Sequence, residues 1–225
     1  MLTPSQRFVG VSAGEKISME PKNTIGQLKR LLGKRNGDAE LAADAPAFSF
    51  GVEDGPEGVP QVRVQYMGEA KTFRAEQLLA ALLGELKAIG EKDQGAKITD
   101  AVLSIPGFFT EQQRRAVLDA ASIAGLNVLR LIHETTATAL AYGIYKTDLP
   151  ADKPVHVAFI DAGHASLQAR RSTALGLGGL TPCAQVSIVA FTKAGLKVLG
   201  YGYDRNFGGR NFDEARHSVW RCGVF

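Results

Sequence analysis

The sequence predicts an α/β fold in which a sheet is covered by helices. Three observations carry that reading. Between residues 98 and 161, apolar strand-like runs alternate with amphipathic helical stretches. The boundaries between them carry Pro-Gly, a lone Gly or a capping pair. With 225 residues, 45% of them hydrophobic and 22% charged, the chain can bury a real core.

Taken in order, residues 7–11 read as a short strand. Lys22-Asn23-Thr24 opens a helix in which Asn23 or Thr24 is the cap; Ile25, Leu28 and Leu32 share one face, and Gly33 stops it. Residues 34–46 are polar and read as a loop. From 47 to 74 the period changes to two, with Val62, Val64 and Tyr66 alternating with polar residues. Turn residues at Asp54-Gly55-Pro56 and Gly68-Glu69 split the stretch into a small antiparallel meander. Arg74 to Ile89 is a strong helix with a stripe of Leu78, Leu79, Leu82, Leu83 and Leu86.

Ala101–Ile105 is a buried strand ended by Pro106-Gly107. Thr110 and Gln113 form a capping-box pattern, opening a helix with Val117, Ala120, Ala121 and Ala124 on one face and Gly125 at its end. A strand follows at Val128–Ile132. Glu134 then begins a helix that aligns Ala137, Leu140, Ala141 and Ile144. Val155–Ile160 is a strand leading into Asp161-Ala162-Gly163, and Ser187–Phe191 with Leu196–Tyr201 reads as a hairpin turning at Lys193-Ala194-Gly195. A boundary near 146–154 divides the chain into two lobes. Residues 169–184, rich in Gly, Ala, Leu and Thr, have no periodicity and stand apart.

Composition excludes several classes of function. Net charge is +3, from 26 basic and 23 acidic residues, and the basic pairs are scattered, so neither nucleic acid nor a membrane surface is expected as a partner. No apolar run approaches the roughly 20 residues that span a bilayer, and Met1–Val9 lacks the apolar stretch of a signal peptide. Cys183 and Cys222 make no CxxC pair. His133 and His164 lack a third ligand at zinc spacing.

The sharpest chemical signal is Phe159-Ile160-Asp161-Ala162-Gly163-His164-Ala165-Ser166. A strand delivers a carboxylate, and small residues follow, whose backbone N–H groups can face a phosphate while the acid holds a Mg²⁺ shell; an ordinary tight turn has the same pattern. Glu134 stands at a helix N-terminus, where a negative charge is favourable whatever its role. Lys29 lies in an amphipathic helix, where a solvated lysine is also ordinary.

Together, NTIGQLKRLLG (23–33), SIPGFFTEQQRRAVLDAASIAGLNVLRLIHETTATALAYG (104–143), FIDAGHASLQ (159–168) and FGGRNFDE (207–214) resemble the nucleotide-binding domain of the seventy-kilodalton heat-shock chaperones. The likeness covers residues 7–168 and 185–214. It implies an incomplete actin-like (ribonuclease H-like) ATPase fold: residues 1–149 as part of lobe I, which is the more complete, and 150–215 as the start of lobe II. It implies ATP and Mg as cofactors. Lys29 would reach the γ-phosphate, Glu134 and Asp161 would hold Mg through water, and Gly163, His164, Ala165 and Ser166 would form a phosphate loop. Pro106 and Arg114 would couple nucleotide state to a substrate domain. Phosphoryl transfer rests on positioning and charge neutralisation, which suits one lysine, two acids and a backbone cradle.

The departures point to a branch. The loop AGHASLQ carries side chains at His164 and Ala165 where the ordinary family has glycine, and Gln168 replaces an acid; Thr135 stands where the ordinary chaperones have proline. The pattern is similar to the hundred-and-ten-kilodalton branch, whose members bind ATP, hydrolyse it poorly and act as nucleotide exchange factors and holdases. The implied partners of a full-length form are a seventy-kilodalton chaperone and unfolded client proteins, in the cytoplasm. A conventional ATPase module and a truncated product without activity remain alternatives. The first phosphate loop and the adenosine-binding lobe have no match here, so turnover is expected to be negligible. Joining Gln168 directly to Val186 restores the family pattern, so the insert 169–184 is expected to lie outside the fold. The reading is a retained intron there and a wrong exon end at 216–225, against a genuine surface loop.

Overall fold

The computed structural model describes residues 6–146, 149, 153–163, 184–193 and 195–205. They fall into two compact units. One gathers the residues up to Ala101 together with Phe109–Arg130; the other gathers Val102–Phe108 with Leu131–Gly163 and the described residues from Ala184 onward. Each is taken by itself.

The first unit opens with a short helix, α1 (Val11–Glu15), and a 3-10 turn at Pro21–Asn23. The strand expected at 7–11 is absent: only Arg7 makes a bridge, and Val11 already starts α1. The helix expected from Lys22 to Gly33 is broken, leaving α2 as Leu28–Leu31. The side chains that might have capped it are used elsewhere. Thr24 Oγ1 donates back to Glu20 O at 2.7 Å, and Asn23 Oδ1 accepts from Gln65 N at 2.9 Å, 42 residues away in sequence. Gln27, just before α2, is left-handed at φ 56°. Leu28 and Leu32 are buried as their spacing predicted, Leu31 is buried beside them, and Ile25 of the expected face is half-buried. Gly33, at φ 62°, cannot be replaced cheaply, because a Cβ there would lie 2.8 Å from Gln113 N.

Residues 34–46 are not a loop throughout. They contain α3 (Ala39–Asp44), followed by a 3-10 turn at Ala45–Ala47. An ion pair between Arg30 and Asp44 holds α3 against α2; the two side chains are only 12% and 7% exposed. Polar composition hid this helix because its anchoring residue is a buried, paired acid.

The meander appears as expected: β1 (Gly51–Asp54), β2 (Pro60–Tyr66) and β3 (Glu69–Arg74) pair antiparallel in that order. Val62 faces Val52 on one side and Phe73 on the other. Val62 and Val64 are buried at 1% and 2%, each contributing roughly 1.5–3 kcal/mol of transfer free energy. From β3 the chain enters α4 (Ala75–Gln94), where Gln77 Oε1 accepts from the Arg74 backbone N–H at 2.9 Å. Its buried stripe is Ala75, Ala80 and Leu83, while Leu86 of the expected leucine stripe is 49% exposed. α4 packs on α5 (Glu111–Ile123), whose buried face includes Ala116, Val117, Ala120 and Ala121. The predicted capping box of Thr110 and Gln113 starts α5, and Lys87 Nζ donates to Gly125 O at 2.8 Å where the helix ends.

Two strands, β4 (Asp100–Ile105) and β5 (Asn127–His133), pair with each other. Among the described residues, the alternation between 98 and 161 is therefore divided between two sheets. The next strand, β6 (Val155–Ala162), belongs to a separate antiparallel sheet with β7 (Ala184–Thr192) and β8 (Gly195–Asp204).

In the second unit, α6 (Glu134–Ile144) lies on that sheet. Ala139, Val189 and Phe191 form its core, and the rings of Tyr142, Phe159 and Phe191 meet at 5.5–6.0 Å between centroids. The face that α6 buries carries Thr135 and Ala139, not Leu140 and Ile144, which are 42% and 75% exposed. Small residues win because they let the helix approach a bulky ring: a Cβ on Gly143 would meet Phe191 Cε1 at 3.0 Å. The predicted hairpin forms, with Thr192 opposite Gly195. Of the stretch expected to stand outside the fold, residues 169–183 lie outside the described residues, whereas Ala184 starts β7.

Candidate functional site

One face of the β6–β7–β8 sheet is apolar at one end and polar at the other. Directly opposed residues of an antiparallel pair share a face. The register sets Asp161 opposite Gln185, and Gln185 opposite Tyr203. Two residues along β7, Ser187 lies opposite Phe159 and Tyr201. Further along, Val189 and Phe191 belong to the core under α6. The polar end therefore collects Asp161, Gln185, Ser187, Tyr201 and Tyr203 beside the start of α6.

Gln185 is the hub of this end. It is 0% exposed. Its Nε2 donates to Glu134 Oε2 at 2.8 Å. Its Oε1 accepts from Tyr201 Oη at 2.7 Å and, at 3.4 Å, from the backbone N–H of Gly107. The close packing of that backbone explains the glycine: a Cβ at Gly107 would lie 2.5 Å from Tyr201 Cζ. An aromatic row continues outward, with His133 and Tyr201 at 5.8 Å, Tyr201 and Tyr203 at 5.8 Å, and Phe108 and Tyr203 at 5.2 Å. The Arg205 guanidinium sits 4.9 Å from the Phe108 ring. Ser187 Oγ is buried and has no hydrogen-bond partner among the described residues.

Glu134 is the first residue of α6, and His133, in extended backbone, is its N-cap. A carboxylate there gains from the unpaired N–H groups and the positive end of the helix dipole. Asp161 lies one residue from the end of β6, and Gly163 follows that strand. Through Gln185, the structure thus brings Glu134 and the Asp161 position to one end of one sheet face. As a donor set, two carboxylates suit a hard cation that keeps most of its waters, as Mg²⁺ does. Among the described residues no cluster of three or more His, Cys, Asp or Glu forms a closed metal cage.

The remaining expected residues are distributed as follows. Pro106 is fully buried in the second unit. Lys29, half-buried on α2, and Arg114, on α5, belong to the first unit, where Arg114 Nε donates to Phe109 O at 3.1 Å. His164, Ala165 and Ser166, like the segment 207–214, lie outside the described residues.

The sequence profile described as Hsp70 protein matches residues 1–219. This chain belongs to the Hsp70 family. It is 48% identical over 209 residues to heat shock 70 kDa protein 14 of Arabidopsis thaliana, covering 93% of this chain and 23% of that protein. It is 42% identical over 221 residues to the 97 kDa heat shock protein of Strongylocentrotus purpuratus and 40% identical over 213 residues to heat shock 70 kDa protein 4 of Canis lupus familiaris. Each of these comparisons covers 94% of this chain and 23% of the relative. The chain thus spans about a quarter of the length of these relatives. The resemblance drawn from the four motifs holds, and Hsp70 membership carries the actin-like ATPase fold, in keeping with the mixed helices and sheets. Among the described residues no helix is long and apolar enough to cross a membrane.

Sequence reasoning missed Gln185 as a partner of Glu134, and Tyr201 and Gly107 as partners of Gln185, in this Hsp70 chain. Gln185 directly follows the aperiodic stretch 169–184. The available signal was that Gln185 already precedes Val186 and Ser187, so the alternating run begins with it.

Proposed function

We propose that this chain is the nucleotide-binding part of a longer Hsp70-family chaperone of the exchange-factor and holdase type. ATP with Mg²⁺ serves in it as a structural ligand more than as fuel. The observation that carries the reading is the polar end of the second unit. A buried amide links Glu134, at a helix N-terminus, to the face that carries Asp161. In this reading Glu134 and Asp161 hold the water shell of Mg²⁺. Gly163, His164, Ala165 and Ser166 cradle phosphate, and Lys29 reaches the terminal phosphate from lobe I. The start of lobe II runs from residue 150. Pro106 and Arg114 relay the nucleotide state.

The loop AGHASLQ favours exchange over hydrolysis, because it carries His164 and Ala165 where the ordinary family has glycine and Gln168 in place of an acid. The likeness to a heat shock protein of 97 kDa and to heat shock 70 kDa proteins 4 and 14, of each of which this chain covers 23%, supports the reading of that branch. The partners are then a second Hsp70 chaperone and unfolded clients, in the cytoplasm.

The test is release of a fluorescent ADP from a purified Hsp70 partner. A full-length form bearing this domain is expected to speed release several-fold. Release unchanged by the full-length protein overturns the exchange reading. Labelled ATP that fails to bind both the chain and a version extended at both ends overturns the nucleotide reading.

A further inference from the structure

We propose that Gln185 is the positioning residue for Glu134: a buried, uncharged amide that fixes the carboxylate's orientation while leaving its full negative charge for a cation. The proposal rests on the nucleotide–Mg²⁺ reading above only for the identity of that cation.

The orientation of the amide follows from its neighbours. An ionised carboxylate only accepts hydrogen bonds, so the side of Gln185 toward Glu134 must be the NH₂ group. That leaves Oε1 facing Tyr201 Oη at 2.7 Å and the Gly107 N–H at 3.4 Å, and both of these can donate. Every hydrogen bond in the chain therefore runs one way, from Tyr201 and Gly107 through the amide to Glu134. A flipped amide would set its oxygen against the Glu134 carboxylate and its NH₂ against the Gly107 N–H, losing both bonds and keeping only that to Tyr201, whose hydroxyl can also accept.

Burial and charge explain why glutamine stands here. The side chain is 0% exposed, so a charged residue would carry a large desolvation cost. A lysine or arginine would pair with Glu134 and compete with any bound cation. An acid would set a like charge against it. Glutamine alone, at this length, offers one donor to the carboxylate and one acceptor to the tyrosine without adding charge. The carboxylate it steers stands beside the position of Asp161, directly opposite Gln185 in the β6–β7 register. A residue that orients a metal-binding carboxylate without touching the metal typically sets metal affinity by about ten- to a hundredfold.

The experiment has two arms on the 225-residue chain. In the first, binding of a fluorescent ATP analogue is measured with Mg²⁺ and with a chelator, for wild type, Gln185→Leu and Tyr201→Phe. Gln185→Leu is expected to lose roughly ten- to a hundredfold in affinity with Mg²⁺ and to match wild type in chelator. Tyr201→Phe, which leaves the amide in place but free to turn, is expected to lose less, again only with Mg²⁺. An equal loss with and without Mg²⁺ overturns the proposal, since that is what a general packing defect produces. In the second arm, the drop in unfolding midpoint caused by Gln185→Leu is compared in wild-type and Glu134→Ala backgrounds. A clearly smaller drop in the Glu134→Ala background supports the coupling; an equal drop overturns it without reference to nucleotide. A wild type whose analogue binding ignores Mg²⁺ overturns the cation role together with the nucleotide reading, and the second arm then decides the orientation of Glu134 alone.

Discussion

Deleting residues 168–184 should leave the second unit folded and modestly more stable. In the register, Ala162 faces Ala184 and Asp161 faces Gln185, so the connection between β6 and β7 runs over 163–183. The deletion joins Leu167 to Gln185. Leu167 then takes the place of Ala184 opposite Ala162, and Gly163, His164, Ala165 and Ser166 are left as a four-residue connection, a common hairpin length. Treated as a flexible chain, the connection shortens about fivefold, a little over two halvings. At about 0.6 kcal/mol per halving, that gives about 1.4 kcal/mol of stabilisation from loop closure. For a chain of this size the gain corresponds to a rise of about 3–6 °C in Tm. Gln185 stays in front of Val186, so its bonds to Glu134 and Tyr201 are retained. Urea titration and calorimetry of the two chains are the assay. A loss of more than about 1 kcal/mol, or loss of the folded state, would show that the deleted segment packs on the unit and would refute the argument.

Arg30→Met removes the buried ion pair with Asp44 and should cost about 3 kcal/mol, read by urea unfolding; a cost near zero would mean the pair is solvated. Gly107→Ala drives a methyl group into the Tyr201 ring and should lower stability by about 1–3 kcal/mol, visible as a drop in Tm. Steady-state ATP turnover by this chain should not rise above background. A clear rate that disappears in Lys29→Ala would overturn the view that ATP is structural here.

Much of the fold was legible from pattern. The period-two run from 47 to 74, the Thr110–Gln113 capping box and the hairpin about residues 193–195 all rely on local chemistry, and each stands where the spacing put it. Failures occurred where a side chain found a distant partner. Asn23 and Thr24 look like caps, yet Asn23 is taken by Gln65, and the helix breaks at a left-handed Gln27. Residues 34–46 look solvated, yet Asp44 is buried against Arg30. On α6 the spacing aligns Leu140 and Ile144 as an inner face, but the ring of Phe191 selects the small residues.

The candidate site divides in the same way. Glu134 at a helix start and Asp161 at a strand end are positions of local sequence, set by turn residues and alternation. So is membership of the Hsp70 family, which follows from the order of four motifs. What joins the two acids is not local. Gln185 is 51 residues from Glu134 and 16 from Tyr201 along the chain, and no spacing rule connects them. Only strand register, by setting Gln185 opposite Asp161 and under the first residue of α6, made a residue at the edge of an unreadable segment the hub of the polar end. Periodicity reports which way a residue faces, whereas a hydrogen bond between distant elements depends on where the folded sheet carries them.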